Sequence, residues 1–184
     1  MSEATRNSGR PLESFRSYLR MLANAQLPWH LRGQIDPSDV VQNALLNAHK
    51  GFAQRRGTSD AELAAWLRAI LKNALIDAVR RATRETRLAQ AIEHSSLRLK
   101  KLVAADDSTP SGQAVRQEEL ERLARALELL PDDQRTAVQL QQIQDYSVAE
   151  IAKEMVRTKS SVGGLLNRGM RRLRELMREE SDHE

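Results

Sequence analysis

Five arginines crowd one stretch near the C-terminus: Arg168, Arg171, Arg172, Arg174 and Arg178, preceded by Lys159, Ser160 and Ser161. Guanidinium forks pair with phosphate oxygens and with the guanine edge, and serine hydroxyls serve phosphates or base edges, so this chemistry suits nucleic acid. Val162, Leu165, Leu166, Met170, Leu173 and Leu176 recur through the stretch at helical spacing, which predicts an amphipathic helix with Thr158 as its cap. Just upstream, Ser147 and Glu150 stand at the spacing of a capping box, followed by the apolar Ile151, Ala152 and Met155. Two helices joined at Val156-Arg157-Thr158, the second of them basic, form the pattern of a helix-turn-helix. In that motif the first residues of the second helix face base edges and later ones face phosphates. Lys159, Ser160 and Ser161 are therefore expected at bases, and Arg168, Arg171 and Arg172 at the backbone.

A second constellation lies earlier. Trp66, Asn73, Asp77, Arg80 and Arg84 follow one another at spacings of seven, four, three and four, so they share one stripe of a helix expected from Asp60 to Arg84. Asparagine presents both donors and acceptors to a base, and arginines bind phosphate. Asp77 fits as a group that orients Arg80 or Arg81, or that accepts from a base amine. A tryptophan at this spacing is more often core. Leu63, Leu67, Ile70, Leu71, Ala74 and Ala78 are expected to pack inward, and the loop Gln54 to Asp60 offers the edge of a pocket for an unstacked base. Further upstream, Asp36-Pro37-Ser38-Asp39 opens a helix with a capping Asp, Pro at the first helical position and an acid at the positive end of the dipole. Val41, Ala44, Leu45 and Ala48 make its core face, and Asp39, Gln42, Asn43, Leu46 and Lys50 a second face that is polar except for Leu46.

These stripes need helices to carry them, and the composition supplies little else. Of 184 residues 40% are apolar but only 3% aromatic, with eight Gly and five Pro, so the fold is expected to be all-α with a core of Leu, Ala, Ile and Val. Leu12, Phe15, Tyr18, Leu19 and Leu22 mark a first amphipathic helix, and a less regular one is expected over Glu85 to Val103. A flexible linker rich in Asp, Ser, Pro and Gly at 101–114 separates two small helical domains, 10–100 and 115–180. The second opens with a helix from Ala114 to Leu130, stopped by Pro131, and Asp132 and Asp133 begin the next. Charge follows the same division. Trp66 to Lys101 holds nine Lys and Arg against three acids, Asp106 to Asp133 three against eight, and Lys153 to Arg178 eight against two. Two basic blocks flanking an acidic one predict two separate surfaces for polyanions.

Other classes fit poorly. No stretch approaches the roughly 20 apolar residues of a membrane span, so no membrane insertion is expected. Cysteine is absent, which excludes disulfides and thiolate metal sites and suits a cytoplasmic protein. The four histidines, His30, His49, His94 and His183, are scattered without metal-ligand spacing, and no Gly-rich phosphate loop or nucleophile–base arrangement is present. Neither catalysis nor a cofactor is expected.

Taken together, the blocks from Leu12 to Met177 resemble a two-domain bacterial sigma factor of the extracytoplasmic-function group. Asp36-Pro-Ser-Asp-Val-Val-Gln42 resembles the region 2 helix that docks on the coiled coil of the polymerase β′ subunit, which implies polymerase contacts at Asp36, Asp39, Val40, Gln42, Asn43 and Leu46. Trp66-Leu67 with Ile70, Asn73, Asp77, Arg80 and Arg81 resembles the block that reads and opens the −10 element, and with Arg84 implies that surface. Leu130-Pro-Asp-Asp-Gln-Arg135 and the Glu150-Ile151-Ala152 turn resemble region 4, whose last helix enters the −35 major groove. The implied partners are core RNA polymerase, through the β′ coiled coil and the β flap, promoter DNA and an anti-sigma protein.

Two places depart from the family pattern. The turn usually carries Gly and an apolar residue where this chain has Val156 and Arg157, and Gly163 and Gly164 stand where basic side chains are common. A helical Gly costs about 1 kcal/mol relative to Ala, which a close backbone approach to DNA or a neighbouring helix would offset. The competing reading is a non-sigma helix-turn-helix regulator such as a dimeric repressor, which needs neither the Asp36–Leu46 face nor the Trp66–Arg81 block. For a phosphate-binding Arg171, Arg171→Ala lowers the slope of log affinity against log salt by about one unit with sequence preference unchanged. An unaltered slope in salt-titrated DNA binding removes Arg171 from the interface.

Overall fold

The computed structural model describes residues 11–54, 59–82, 92 and 110–181. Every regular element among them is helical: α1 (Arg16–Gln26), α2 (Pro37–Gly51), α3 (Asp60–Ala82), α4 (Pro110–Glu128), α5 (Asp132–Gln142), α6 (Val148–Glu154) and α7 (Lys159–Ser181), with 3₁₀ turns at Leu12–Phe15, Trp29–Leu31 and Phe52–Gln54. The chain divides into two compact units, Met1–Leu120 and Glu121–Glu184. The division falls inside α4. Residues 110–114, expected in the linker, are helical, and Pro110 suits the first turn because no N–H is needed there. The expected helix over Glu85 to Val103, Arg84, residues 101–109 of the linker and residues 55–58 lie outside the described residues. Among the described residues no helix is long and apolar enough to cross a membrane.

In the first unit α1, α2 and α3 pack on one another. Phe15, Tyr18, Leu19 and Leu22 are buried, as are Val41, Ala44, Leu45 and Ala48 of α2. Asp36 caps α2 as its position requires, its carboxylate accepting from the Ser38 N–H at 2.7 Å. Arg20 of α1 donates to the Ser38 hydroxyl at 2.6 Å, tying α1 to the start of α2. The buried face of α3 is rotated from the expected one. Leu63, Leu67, Leu71, Leu75, Ala78 and Val79 are buried, whereas Ile70 and Ala74 are only half-buried. Arg68 donates to the Tyr18 hydroxyl at 2.7 Å and to the Gln117 amide oxygen at 3.2 Å, so the first half of α4 belongs to this unit.

In the second unit α5, α6 and α7 pack around Ala137, Val138, Leu140, Ile151, Ala152, Val162, Leu165, Leu166, Leu173 and Leu176. Met170 is half-buried at the edge of this core. Arg135 joins α4 to α5 by donating to the carbonyls of Leu127, Glu128 and Leu130 at 2.8–2.9 Å, filling acceptors that the end of α4 leaves open. α6 ends in a Schellman motif: the Arg157 N–H reaches the Ala152 carbonyl at 2.9 Å and the Val156 N–H that of Lys153 at 3.2 Å. That closure puts its pivot residue in the left-handed region, and the pivot is Val156, at φ 52°. Asp145, in the turn before α6, is also left-handed at φ 58°, which a short polar side chain tolerates more easily.

A β-branched residue at positive φ is strained by about 1–2 kcal/mol, and Val156, 90% exposed, has little packing to offset it. Val156→Gly is expected to stabilise the second unit by about 1 kcal/mol, read as a higher urea midpoint. An unchanged or lower midpoint rejects the strain.

Candidate nucleic-acid interface

The helix-turn-helix is built from its caps. Ser147 and Glu150 form the expected reciprocal box: the Glu150 N–H donates to Ser147 Oγ at 3.3 Å, and the Ser147 N–H donates to the Glu150 carboxylate at 2.8 Å. The Ser147 hydroxyl donates to the same oxygen at 2.6 Å. These donors favour the charged form, the side-chain hydrogen bond most of all, and hold the Glu150 carboxyl below the usual carboxylate range. Thr158 caps α7, its hydroxyl oxygen accepting from the Ser161 N–H at 3.1 Å. Between the caps, Arg157 forms an ion pair with Asp133 in the first turn of α5. The departure at Val156-Arg157 thus gives an ordinary closed turn, with Val156 in the place that favours glycine.

On α7 the buried and exposed faces separate cleanly. Lys159, Ser160, Arg168, Arg171, Arg172, Arg174 and Arg178 are exposed, and Ser161 is half-buried. Ser160, Gly164, Arg168 and Arg171 follow at spacings of four, four and three, so three of the expected residues share one row, with Lys159, Ser161 and Arg172 to either side of it. Arg172 is less free than its neighbours, because Glu175 and Glu179 lie 3.3 and 3.6 Å from it. The three glycines of this helix differ. Apart from its own helix backbone and chain neighbours, nothing lies within 4 Å of a Cβ placed on Gly163, and on Gly164 the nearest atoms to such a Cβ are those of the Arg168 guanidinium. Neither glycine meets a neighbouring helix. The close approach is at Gly169, where a Cβ would stand 2.9 Å from Val138 Cγ2 and 3.3 Å from Gln134 Cβ. Sequence reasoning passed over Gly169. Its signal was a small residue in register with Leu165, Leu166 and Leu173.

The two surfaces of the first unit each need one correction. Asp39, Gln42, Asn43 and Leu46 share the exposed outer face of α2, with Leu46 53% exposed. Val40 does not join them. At 4% exposure it packs inward beside Val41 and Ala44, because α2 buries a wider arc than its strict core positions indicate. On α3, Asn73, Asp77, Arg80 and Arg81 are exposed together. Trp66 is half-buried, its ring edge-on to Phe52 at 6.4 Å between centroids. Half-buried Ile70 falls on the stripe between Trp66 and Asn73, which gives that face an apolar patch the sequence reading had assigned to the core. The start of α3 carries a second capping box that reading missed. Ser59 Oγ accepts from the Glu62 N–H at 3.2 Å, and the Ser59 N–H donates to the Glu62 carboxylate at 3.1 Å. The Ser-x-x-Glu spacing was its signal.

Fold and site define a two-unit helical protein with a basic helix-turn-helix in its second unit and a polar and basic helix face in its first. Residues 14–85 match the family profile of Sigma-70 region 2, and residues 120–173 that of Sigma-70, region 4. The chain is 31% identical over 142 residues to proteins named ECF RNA polymerase sigma factor SigM from the Erdman and H37Rv strains of Mycobacterium tuberculosis. That alignment covers 77% of this chain and 64% of each relative, so the match spans just under two thirds of their length. The chain belongs to the extracytoplasmic-function sigma factors of the sigma-70 family.

The glycines of α7 give a test of opposite signs. Gly169→Ala is expected to destabilise the second unit by about 1–2 kcal/mol, since stiff, buried Val138 cannot yield and overpacking outweighs the helix propensity gained. Gly163→Ala, in open space, is expected to stabilise it by about 1 kcal/mol. Urea midpoints moving the same way for both variants reject the close packing at Gly169.

Proposed function

We propose that the protein binds core RNA polymerase and directs promoter-specific initiation. The outer face of α2, Asp36 and Asp39 through Gln42, Asn43 and Leu46, docks on the β′ coiled coil. The α3 stripe, Trp66, Asn73, Asp77, Arg80 and Arg81 with Arg84, engages the −10 element. On α7, Lys159, Ser160, Ser161, Arg168, Arg171 and Arg172 engage the −35 element, while the second unit contacts the β flap. The protein acts in the cytoplasm without catalysis or cofactor, and an anti-sigma protein is a further partner.

One observation supports this reading above the others. Regions 2 and 4 stand in one chain, and the region 2 unit exposes Leu46 in the middle of an otherwise polar helix face beside a separate polar and basic face on α3. Two faces on one small unit suit a protein that must hold polymerase and DNA together. A repressor needs only the second unit and a dimer contact.

Run-off transcription with purified bacterial core polymerase on a promoter-fragment library is expected to give start sites that depend on this protein. Leu46→Arg is expected to weaken core binding by tenfold or more, about the value of one buried leucine, with helical content unchanged. Core binding kept at wild-type strength refutes the docking face. DNA binding with neither core binding nor initiation favours the repressor.

A further inference from the structure

α7 is fixed against α5 at two separate places. One lies midway along it, where a Cβ on Gly169 would stand 2.9 Å from Val138 Cγ2. The other is at its entry, where Arg157 of the turn pairs with Asp133 in the first turn of α5. About 15 Å of helix axis separates Gly169 from the start of α7. A single close contact leaves a helix free to pivot about it, and a second one at that distance sets the crossing angle. The turn has little packing to do the same. Val156 is 90% exposed, and Ala152, Lys153, Val156, Arg157, Thr158 and Ser161 line an open hollow there. The Schellman bonds close the turn onto α6 and make no tie to α5. The neighbouring acid, Asp132, pairs instead with Arg135, which fills the carbonyls at the end of α4. The two acids that begin α5 thus serve different neighbours, Asp132 the helix before it and Asp133 the entry to α7.

We infer that Asp133 is a positioning residue for DNA binding: it holds Arg157, and through it the entry angle of α7, without touching DNA itself. This role rests on the −35 reading of α7 proposed above. It is the reverse of what charge alone requires. An acid beside a DNA-facing helix repels phosphate, so its removal tightens binding. An acid that aims the helix does the opposite, and its removal loosens binding. An Arg157 bound to phosphate would give a third result, a salt slope lower by about one unit when Arg157 is lost. The sign of one substitution therefore separates aiming from repulsion, and the slope separates aiming from phosphate contact.

The test uses holoenzyme assembled from core polymerase and the full chain. It binds a promoter fragment recovered from the run-off library, and the same fragment with its upstream element scrambled, across a range of salt. Each variant is compared at a temperature where circular dichroism shows it fully folded, so lost stability alone does not lower affinity. Asp133→Asn keeps the side-chain shape, removes the charge and is expected to weaken binding to the intact promoter about three- to fivefold, the range of a well-placed exposed ion pair. Arg157→Gln should weaken it as much, and the double variant no further, with the salt slope unchanged in all three. Asp132→Asn makes the same charge change one residue away and should bind at wild-type strength or tighter. Unchanged or tighter binding by Asp133→Asn overturns the inference alone. Losses that add in the double variant, or a slope lowered by about one unit in Arg157→Gln, make Arg157 a phosphate contact and overturn it as well. Wild-type holoenzyme that binds the scrambled fragment as tightly as the intact one overturns the −35 reading, and this inference with it.

Discussion

The second unit depends on a contact that has room for no side chain. α7 lies so close to α5 at Gly169 that one methyl group would stand 2.9 Å from Val138. Valine at 138 has little rotamer freedom and is buried, so it cannot yield. Val162, Leu165, Leu166, Leu173 and Leu176 extend the contact along the same side of α7. With that side committed to the core, the arginine row is left in solvent by geometry alone. A helix proposed to read DNA has to be rigid and uncovered at once, and packing by one face achieves both.

The rest of the unit serves to aim that helix. Arg135 satisfies three carbonyls where α4 ends, and Arg157 pairs with Asp133 across the turn into α7. Arg157 sits in the basic block Lys153–Arg178 that reads, as charge, like DNA-binding surface, and Arg135 adds a further cation to the same unit. Their work is internal. Arg172, with two carboxylates beside it, is intermediate. Counting positive charge therefore overstates the set of free cations, because the count cannot tell a guanidinium facing solvent from one capping a helix. The turn closes through a left-handed Val156, a local cost carried by the Schellman bonds and the ion pair around it.

The first unit repeats the division of labour on α2 and α3. Each has one buried and one outer face, and the expected outer residues, Asp39, Gln42, Asn43 and Leu46 on α2 and Asn73, Asp77 and Arg80 from spacing with Arg81 from the family pattern on α3, are exposed. The errors lie at the borders between faces. Val40 is buried, and Ile70 and Ala74 are not. A period of 3.6 locates the centre of an apolar stripe well and its edges poorly, because the edge depends on how far the neighbouring helix reaches round. Trp66, half-buried against Phe52, occupies such an edge and is neither pure core nor pure surface.

The sequence by itself determined the local features: the caps at Asp36, Ser147 and Thr158, the stops and starts around Pro131, the helical class and the order of the two regions. The caps are settled within a few residues, by hydrogen bonds a side chain makes to nearby backbone, the break at Pro131 by its missing N–H, and the helical class by composition. Tertiary structure decided which charges face out, where the units divide within α4, and which glycine is structural. Those depend on atoms distant in sequence: Val138 against Gly169, Asp133 against Arg157, Gln117 against Arg68. Spacing along one helix carries no information about the surface that will approach it, so only packing could distinguish Gly169 from Gly163 and Gly164.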